Sequence, residues 1–423
     1  MEACYKLSDK VCTRNEDMNQ NQIFETCQQF LASNNIPGWL IHDYRNSNPI
    51  FNQVLPSLGH VTRPTLLYIP ALGKPMLLVH HVDAGKFAYQ DTLSSDKPDF
   101  DLTVYQSRNS MVDSLQSILR DAPRVAMEYS PNNDLPRVSR VDAGTVELVR
   151  SLGSEVVSSA DLMQFSTQRW STDQLSGHKR AAAKLGNIVN QAFELIGTQL
   201  KNARHTSDAP SEFFIAEYIR QRFLEENLTT ADGPIVSINS HCSDPHYEPT
   251  PENTSIFRPG DWVLIDLWAK ESSPSSVYAD ITWVAYIGAQ IPRQISEVFE
   301  TVIEARDSAL EFLKTSFEHG AVNQGWEVDK VARDYINSKG YGEFFTHRLG
   351  HSISYEVHGE AVNLDNFETH DNRSIIPGIG FSIEPGIYLP DFGVRSEIDA
   401  YMSEDGPYAT SPVQREIVLI SAD

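Results

Sequence analysis

Apolar residues recur at helical spacing in several stretches of the chain. Positions three and four residues apart share one face of a helix, so each stripe predicts a helix with one buried face. Ser171 and Gln174 have the spacing of a capping box, and Gly340 suits the position just after a helix end. The stripes cover residues 23–31, 111–120, about 175–196, 212–227, 294–317 and 328–338.

Short apolar runs bounded by turn-forming residues predict strands between these helices. Residues 71–74 join two such runs and predict a hairpin turn. The clearest runs are residues 38–42, 65–70, 75–82, 125–129, 262–268 and 277–287. In the first half the strands mix with helices, which favours an α/β domain. In the second half, long helices alternate with antiparallel strands, which favours an α+β domain.

The length of the chain supports this division. At 423 residues it exceeds what one hydrophobic core usually supports. We therefore predict an N-terminal domain at residues 1–165 and a C-terminal domain at residues 166–423. Residues 1 to about 20 are polar and are expected to form a loose lead-in.

Charge and composition limit the partners. The chain has 34 Lys and Arg residues against 57 Asp and Glu residues, a net charge of −23. Such a surface repels phosphate backbones and anionic lipid, so nucleic acid and membrane are unexpected partners. No apolar run approaches the roughly 20 residues that span a bilayer, and the first residues lack the apolar core of a signal peptide. We expect a soluble, cytoplasmic enzyme. The four cysteines show no metal-finger spacing and are expected to be reduced thiols.

Two carboxylates lie inside the most apolar strand runs of the second half. Asp266 stands within WVLIDLW and Asp280 within VYADITWVAYI. The turn-like residues 269–277 between them predict a hairpin that brings both side chains to one face. An unpaired charge in such a place is costly, so both acids need a common partner. A metal ion is the simplest one.

Three further residues extend this candidate metal site. Glu384 precedes Pro385-Gly386, where a strand should turn, and Glu397 lies in a following strand, so a second hairpin is expected to oppose the first. His351 adds one imidazole from a sequence of small residues. Oxygen ligands with one imidazole fit Mn, Co, Fe or Zn better than a thiolate site does. Five ligands exceed what one catalytic zinc takes, which favours two ions roughly 3.5–4 Å apart.

The order of these five residues, with the segments HRLGHSISYEVHGE and GVRSEID around them, resembles the pita-bread metallopeptidases. That family includes Xaa-Pro dipeptidases, Xaa-Pro aminopeptidases and methionine aminopeptidases. The resemblance covers about Trp170 to the C-terminus. It implies a pita-bread catalytic domain, and the first half resembles the creatinase-like α/β domain of the proline-directed members.

The resemblance also implies roles for the site residues. Asp280 and Glu397 would bridge two divalent ions (Mn, Co or Zn), and Asp266 would bind one of them. His351 and Glu384 would complete the other ion, and Glu384 would also carry the proton of the attacking water.

Outside the ligand set, the resemblance implies three more functional residues, and His347 is a fourth candidate on its own account, as a donor to a neighbouring carboxylate or as a substrate contact. His246 would lie near the substrate amide, and His358 would stabilise the tetrahedral intermediate. Arg395 would lie near the bound substrate. Simple packing is the alternative role for His347.

Two departures from the family pattern concern substrate choice. Thirteen residues separate Asp266 from Asp280, a longer connection than most members have, and it is expected to alter access to the site. Ser354 and Tyr355 replace a glycine and an aliphatic residue that are common there.

The implied function is a dinuclear-metal hydrolase of short peptides, an Xaa-Pro dipeptidase or Xaa-Pro aminopeptidase, acting as a homodimer. One alternative keeps the metal and changes the substrate to a small amide or cyclic amidine, as in an ectoine hydrolase. Another is a non-catalytic interaction module, although the complete ligand set argues against it. Metal content separates this module from either enzyme, and a substrate panel separates the enzymes.

Overall fold

The computed structural model describes residues 19–89, 97–205 and 208–422. Most of the predicted lead-in, including Cys4 and Cys12, lies outside these ranges. Cys27 and Cys242 are buried free thiols, as expected.

The N-terminal region forms a mixed sheet with helices on both faces. Its strands run in the order β4-β3-β2-β1-β5-β6. The β1–β2 and β2–β3 pairs are antiparallel, and the β3–β4, β1–β5 and β5–β6 pairs are parallel. The strands are β1 Gly38–Asp43, β2 Thr65–Pro70, β3 Met76–His80, β4 Asp101–Tyr105, β5 Arg124–Met127 and β6 Glu155–Ser158. The helices are α1 Gln20–Ser33, α2 Pro49–Val54, α3 Arg108–Leu119, α4 Ala143–Ser151 and α5 Ala160–Thr167.

Alternation along these strands separates two apolar layers. Trp39 and Ile41 of β1 join α1, α2 and α5 in one cluster, while Leu40 joins α3 and α4 in the other. Successive strand residues point to opposite faces, so a nearly continuous apolar run is what a doubly covered strand requires.

The C-terminal region carries long helices around several antiparallel sheets. The helices are α6 Thr172–Asn202, α7 Glu212–Glu225, α8 Arg293–Glu318 and α9 Gly325–Ser338. The first sheet contains β7 Leu228–Thr229, β8 Ile235–Ile238, β9 Trp262–Glu271, β10 Ala279–Ile287 and β17 Val418–Ile420. The other strands are β11 Ser352–Ile353, β12 Gly380–Ile383, β13 Gly386–Tyr388, β14 Gly393–Arg395, β15 Ile398–Ser403 and β16 Gly406–Ala409.

Local signals in the sequence set the helix ends. Ser171 forms the predicted capping box with Gln174 at the start of α6. Gly340, just beyond α9, has a φ of 86°, a left-handed conformation that glycine adopts without strain. α9 begins at Gly325, three residues before the predicted start, because Gln324 caps it.

Two helix layers enclose the C-terminal sheets. α6 and α7 pack on the outer face of β9 and β10. α8 and α9 pack with the inner faces of several strands in the largest cluster. The predicted mixture of helices and antiparallel strands is confirmed. The predicted boundary at 165/166 falls inside α5, which packs against the N-terminal sheet, so we propose that the division follows this helix.

Candidate metal centre

The inner face of the β9–β10 hairpin carries the first two acids. Asp266 pairs with Thr282 across the hairpin, and Asp280 pairs with Trp268. Directly opposed residues of an antiparallel pair share a face, so all four side chains lie on one side of the sheet. The intervening residues of both strands belong to the apolar cluster under α6 and α7. Strand alternation thus sets Asp266 and Asp280 side by side, as the predicted hairpin requires.

Glu397 reaches this face from the junction of β14 and β15. Thr282 Oγ1 donates to Glu397 Oε2 at 2.9 Å, and the Glu397 amide donates to the Thr282 carbonyl at 3.3 Å. Glu384 follows β12, and its amide donates to the Leu349 carbonyl at 2.8 Å. Between the two glutamates, β13 and β14 form an antiparallel hairpin, as expected, but its turn lies at residues 389–392 and Gly386 already belongs to β13.

His351 is held rigidly against these acids. Its amide donates to Ser382 Oγ at 2.9 Å, and its Nδ1 lies 3.1 Å from the Ser352 carbonyl. The Nε2 atom lies 3.3 Å from Glu384 Oε1 and 3.7 Å from Asp280 Oδ2. Gly350 makes the approach possible, because a Cβ there would lie 2.0 Å from the Ser382 carbonyl oxygen.

These donors suit divalent cations. One ligand atom from each of Asp280, His351 and Glu397 lies within 4.8 Å of the other two. Among these acids, three buried carboxylate oxygens have no hydrogen-bond partner: Asp266 Oδ1, Asp280 Oδ1 and Glu397 Oε1. An unpaired buried carboxylate oxygen is costly, and coordination to a metal ion would satisfy it.

Burial and the neighbouring charges shift the pKa values of these residues. Burial and the nearby Asp266 charge raise the pKa of Asp280 well above its usual range. Burial and Asp280 do the same to the pKa of Glu397. Burial raises the pKa of Glu384 to about 7. Burial also holds the pKa of His351 well below its usual value, which keeps its imidazole neutral and able to bind a cation.

Arg395 lies within the ligand framework. Its Nη2 donates to Asp266 Oδ2 at 2.5 Å, its Nε to Thr282 Oγ1 at 3.0 Å, and its Nη1 to Tyr388 Oη at 3.1 Å. The side chain is buried. These contacts hold Asp266 in place on the inner face of the sheet.

His347 contacts the same network from the other side. Its Nε2 lies 2.8 Å from Tyr388 Oη and its Nδ1 lies 2.7 Å from the Arg348 carbonyl. Burial and the Arg395 charge lower the pKa of His347 to about 3. A neutral His347 therefore bonds to Tyr388 at the wall of the site, and both of its ring nitrogens lie against groups other than a carboxylate.

His358 and His246 line the space beside the acids. The His358 ring packs edge-on against His351, with 4.4 Å between centroids. Burial, followed by the Arg348 and Arg137 charges, lowers the pKa of His358 to about 4. His246 is exposed, and its amide donates to Asp244 Oδ1 at 3.0 Å.

All of the predicted site residues line one cavity of about 750 Å³. Cavities of this size suit small molecules and short peptides. Arg137 of the N-terminal region and Arg348 also line it. Sequence reasoning missed these two arginines and the buried contacts of Thr282 and Tyr388. A threonine or tyrosine in a strand run gives no local signal of such contacts.

A sequence model of Metallopeptidase family M24 matches residues 178–404. A putative dipeptidase, YkvY, of Bacillus subtilis is 30% identical over 187 residues, covering 44% of this chain and 47% of the relative. An Xaa-Pro dipeptidase of Lactobacillus helveticus is 32% identical over 203 residues, covering 48% and 50%. The matches thus span about half the length of these curated relatives.

Solved structures resemble the whole described chain. A dipeptidase, PepE, of Mycobacterium ulcerans has a TM-score of 0.71 at 20% identity, covering 96% of this chain and 100% of the other. An Xaa-Pro dipeptidase from Bacillus anthracis has a TM-score of 0.63 at 21% identity, covering 95% and 100%. At these identities the likeness shows the fold, which is the pita-bread fold expected from the sequence. Among the described residues, none of the helices is both long and apolar enough to cross a bilayer.

Proposed function

Because this chain belongs to metallopeptidase family M24, we propose that it is a metal-dependent hydrolase of short peptides that cleaves the bond before proline. One observation carries the proposal. Asp280 and Glu397 each carry a buried carboxylate oxygen without a hydrogen-bond partner, and a ligand atom of each acid lies within 4.8 Å of a ligand atom of His351. The names of the relatives, among them Xaa-Pro dipeptidases, support the choice of substrate.

The proposed metal site would hold two divalent ions. Asp266, Asp280, His351, Glu384 and Glu397 are the residues that would bind them. Bound ions of this kind supply Lewis acidity and lower the pKa of water at the site. Mn, Co and Zn all accept such an oxygen-rich donor set.

Glu384 is the proposed proton carrier. Its carboxylate lies 3.3 Å from His351 Nε2, and its side chain is 16% exposed, which leaves it open to the cavity. Burial raises its pKa to about 7, the range in which a carboxylate both accepts and returns a proton near neutrality. It would accept a proton from the attacking water and pass it to the leaving imino nitrogen of proline.

His358 and His246 would bind the reacting amide. His358 lies exposed at the cavity wall, and the N–H of its imidazole is a suitable donor for the oxygen on which negative charge develops. His246 lines the same cavity from the opposite loop. Arg395 and His347 would act with Tyr388 by fixing Asp266 and the wall beside it.

The shape of the cavity favours an exopeptidase. Arg137 brings part of the N-terminal region to the cavity wall, so this region limits the space next to the acids. A dipeptide or tripeptide fits such a space, whereas a folded protein does not. We also propose a cytoplasmic homodimer, following the sequence resemblance, and size-exclusion chromatography with light scattering measures this state.

The test is a substrate panel with metal-stripped and reloaded protein. The panel contains Xaa-Pro dipeptides, Xaa-Pro-Xaa tripeptides, non-proline peptides and ectoine, each with Mn, Co or Zn added back. Restored cleavage before proline supports the proposal, and the ratio of dipeptide to tripeptide cleavage separates dipeptidase from aminopeptidase. Turnover of ectoine alone would retain the metal hydrolase and overturn the peptidase.

Metal analysis separates the enzyme from an interaction module. We expect about two equivalents of metal per chain after reloading, and much less in Asp280→Asn, because this variant removes one of the proposed ligands. A chain that binds no divalent ion and cleaves nothing would overturn the proposed function.

A further inference from the structure

The segment that carries His358 is held largely by side chains from outside its own sheet. The Glu360 amide donates to Gln168 Oε1 at 3.1 Å, and the Val362 amide donates to Gln164 Oε1 at 3.2 Å. Both glutamines lie in or next to α5. The loop that contains His358, in the C-terminal region, is thus hydrogen-bonded to side chains in and next to α5.

Arg137 makes the contacts nearest to His358. Its Nε donates to the Gly359 carbonyl at 2.8 Å, and its Nη2 donates to the His358 carbonyl. One planar guanidinium therefore binds two consecutive main-chain carbonyls, those before and after the Gly359 Cα. A planar fork with several donors fixes direction as well as distance, which a single ammonium cannot do.

Gly359 is also packed closely against Ser352. The Gly359 amide donates to the Ser352 carbonyl at 2.6 Å. A Cβ on Gly359 would lie 2.7 Å from Ser352 Oγ. The main chain at His358 and Gly359 is thus clamped between Arg137 on one side and Ser352, next to His351, on the other.

The loop that supplies Arg137 is itself stiff. The amides of Arg140 and Val141 both donate to the Glu128 carbonyl, at 2.9 and 3.0 Å. Val138 is fully buried in the N-terminal core. Arg137 therefore projects from a fixed base, and its position relative to the acids is set by the packing of the two halves.

Arg140, three residues further on, contacts the same segment differently. Its Nη2 donates to Glu360 Oε1 at 2.8 Å, and Arg137 forms a longer ion pair with the same atom at 3.3 Å in addition to its two carbonyl contacts. Arg140 thus grips a side chain two residues beyond His358. It offers a control with the same charge, loop and interdomain position.

We propose that Arg137 is a positioning residue of the catalytic centre, through which the N-terminal region fixes the main chain of His358 and Gly359. This inference rests on the proposed function in one respect: His358 is taken as the imidazole that faces the substrate. The N-terminal region then does more than limit substrate length, because it sets the direction of a donor beside the acids.

The kinetic test compares Arg137→Gln, Arg137→Lys and Arg140→Gln as full-length, metal-loaded proteins. A small misplacement of a positioned group costs up to about 100-fold in rate, so we expect kcat of R137Q to fall by about 10- to 100-fold, with KM changed less than about threefold. R137K should recover only part of kcat, because one ammonium cannot bind both carbonyls with the same geometry. R140Q should keep kcat within about threefold of wild type.

Hydrogen exchange gives a second readout that needs no substrate. In R137Q the amides of Gly359 and Ala361 should exchange faster than in wild type and R140Q, because their segment loses its clamp. Equal exchange and equal kcat in R137Q and wild type would overturn the inference. Equal losses in R137Q and R140Q would also overturn it, since both arginines would then serve interdomain stability alone. If wild type cleaves no peptide, the proposed function falls, and the exchange comparison alone decides the clamp.

Discussion

Thr282→Val isolates a contact that connects three parts of the metal centre. The Thr282 hydroxyl donates to Glu397 Oε2 at 2.9 Å and accepts from Arg395 Nε at 3.0 Å. Valine has nearly the same shape and the same preference for strands, so the change removes the hydroxyl and little else. Thr282→Ser keeps the hydroxyl and is the matched control.

The magnitude follows from the two lost hydrogen bonds. One bond joins the hydroxyl to the charged, buried Arg395 and the other joins it to the buried Glu397, and such bonds contribute about 0.5–3 kcal/mol each. Part of the loss is recovered when Glu397 and Arg395 relax, so we expect the free energy of unfolding of the metal-free protein to fall by about 2–3 kcal/mol. Loss of a partner that orients a metal ligand typically lowers metal affinity by about 10- to 100-fold.

The assay is a competition titration of Mn or Zn against a chromophoric chelator, with denaturant unfolding of the metal-free proteins beside it. We expect T282V to bind metal about 10- to 100-fold more weakly and T282S to stay within about threefold of wild type. Wild-type metal affinity in T282V would refute the reasoning, because Glu397 would then be held by other contacts. A large loss in T282S would refute it differently, by making the methyl group the important part.

Three further predictions concern stability and metal binding. Burial raises the pKa of Glu128 to about 7, so its folded-state pKa exceeds the unfolded value near 4.5. The folded state then holds a proton that the unfolded state has lost, and stability falls as pH rises from about 4.5 to 7, by about 3 kcal/mol. Denaturant unfolding at pH 5 and pH 8 should show this loss in wild type and much less of it in Glu128→Gln. Gly350→Ala should unfold at lower temperature and bind less metal, because its Cβ would lie 2.0 Å from the Ser382 carbonyl oxygen. Glu397→Gln should stabilise the metal-free protein at pH 8, where the charge of this buried acid is costly, and should remove most of the stabilisation that added Mn gives to wild type.

Each of these predictions has a contrary result. Identical pH dependence in Glu128→Gln and wild type would show that Glu128 titrates normally in the folded chain. Gly85→Ala is the control for the glycine, because a Cβ there meets nothing within 4 Å, and equal melting of both alanine variants would contradict the steric account. A metal-free Glu397→Gln protein less stable than wild type at pH 8 would mean that the carboxylate is satisfied without metal.

Local sequence signals accounted for much of the framework. The predicted helices at 212–227 and 294–317 lie within two residues of α7 and α8 at each end. Caps and apolar stripes are local features of the sequence, so they can be recognised without knowledge of the tertiary structure. The short helix α2 was not predicted. Its six residues offer too few turns for an apolar stripe to be recognised.

For the candidate site, the sequence by itself predicted the donor set and determined part of its geometry. Asp266 and Asp280 stand in strand runs joined by a turn, and strand alternation assigns both to one face. Buried acids in such runs require a cation, so the metal followed from the residue types.

Only the tertiary structure decided which groups surround those donors. Thr282 bonds to Glu397 115 residues away, and Arg137 bonds to Gly359 222 residues away. Such contacts depend on how whole sheets and helices pack, so they cannot be predicted from a residue's neighbours in the sequence. The same packing decided that Arg395 holds Asp266 within the framework and that the N-terminal region reaches the wall of the site. Local sequence patterns therefore predicted the ligands, whereas the packing of the fold set the orientation of their side chains.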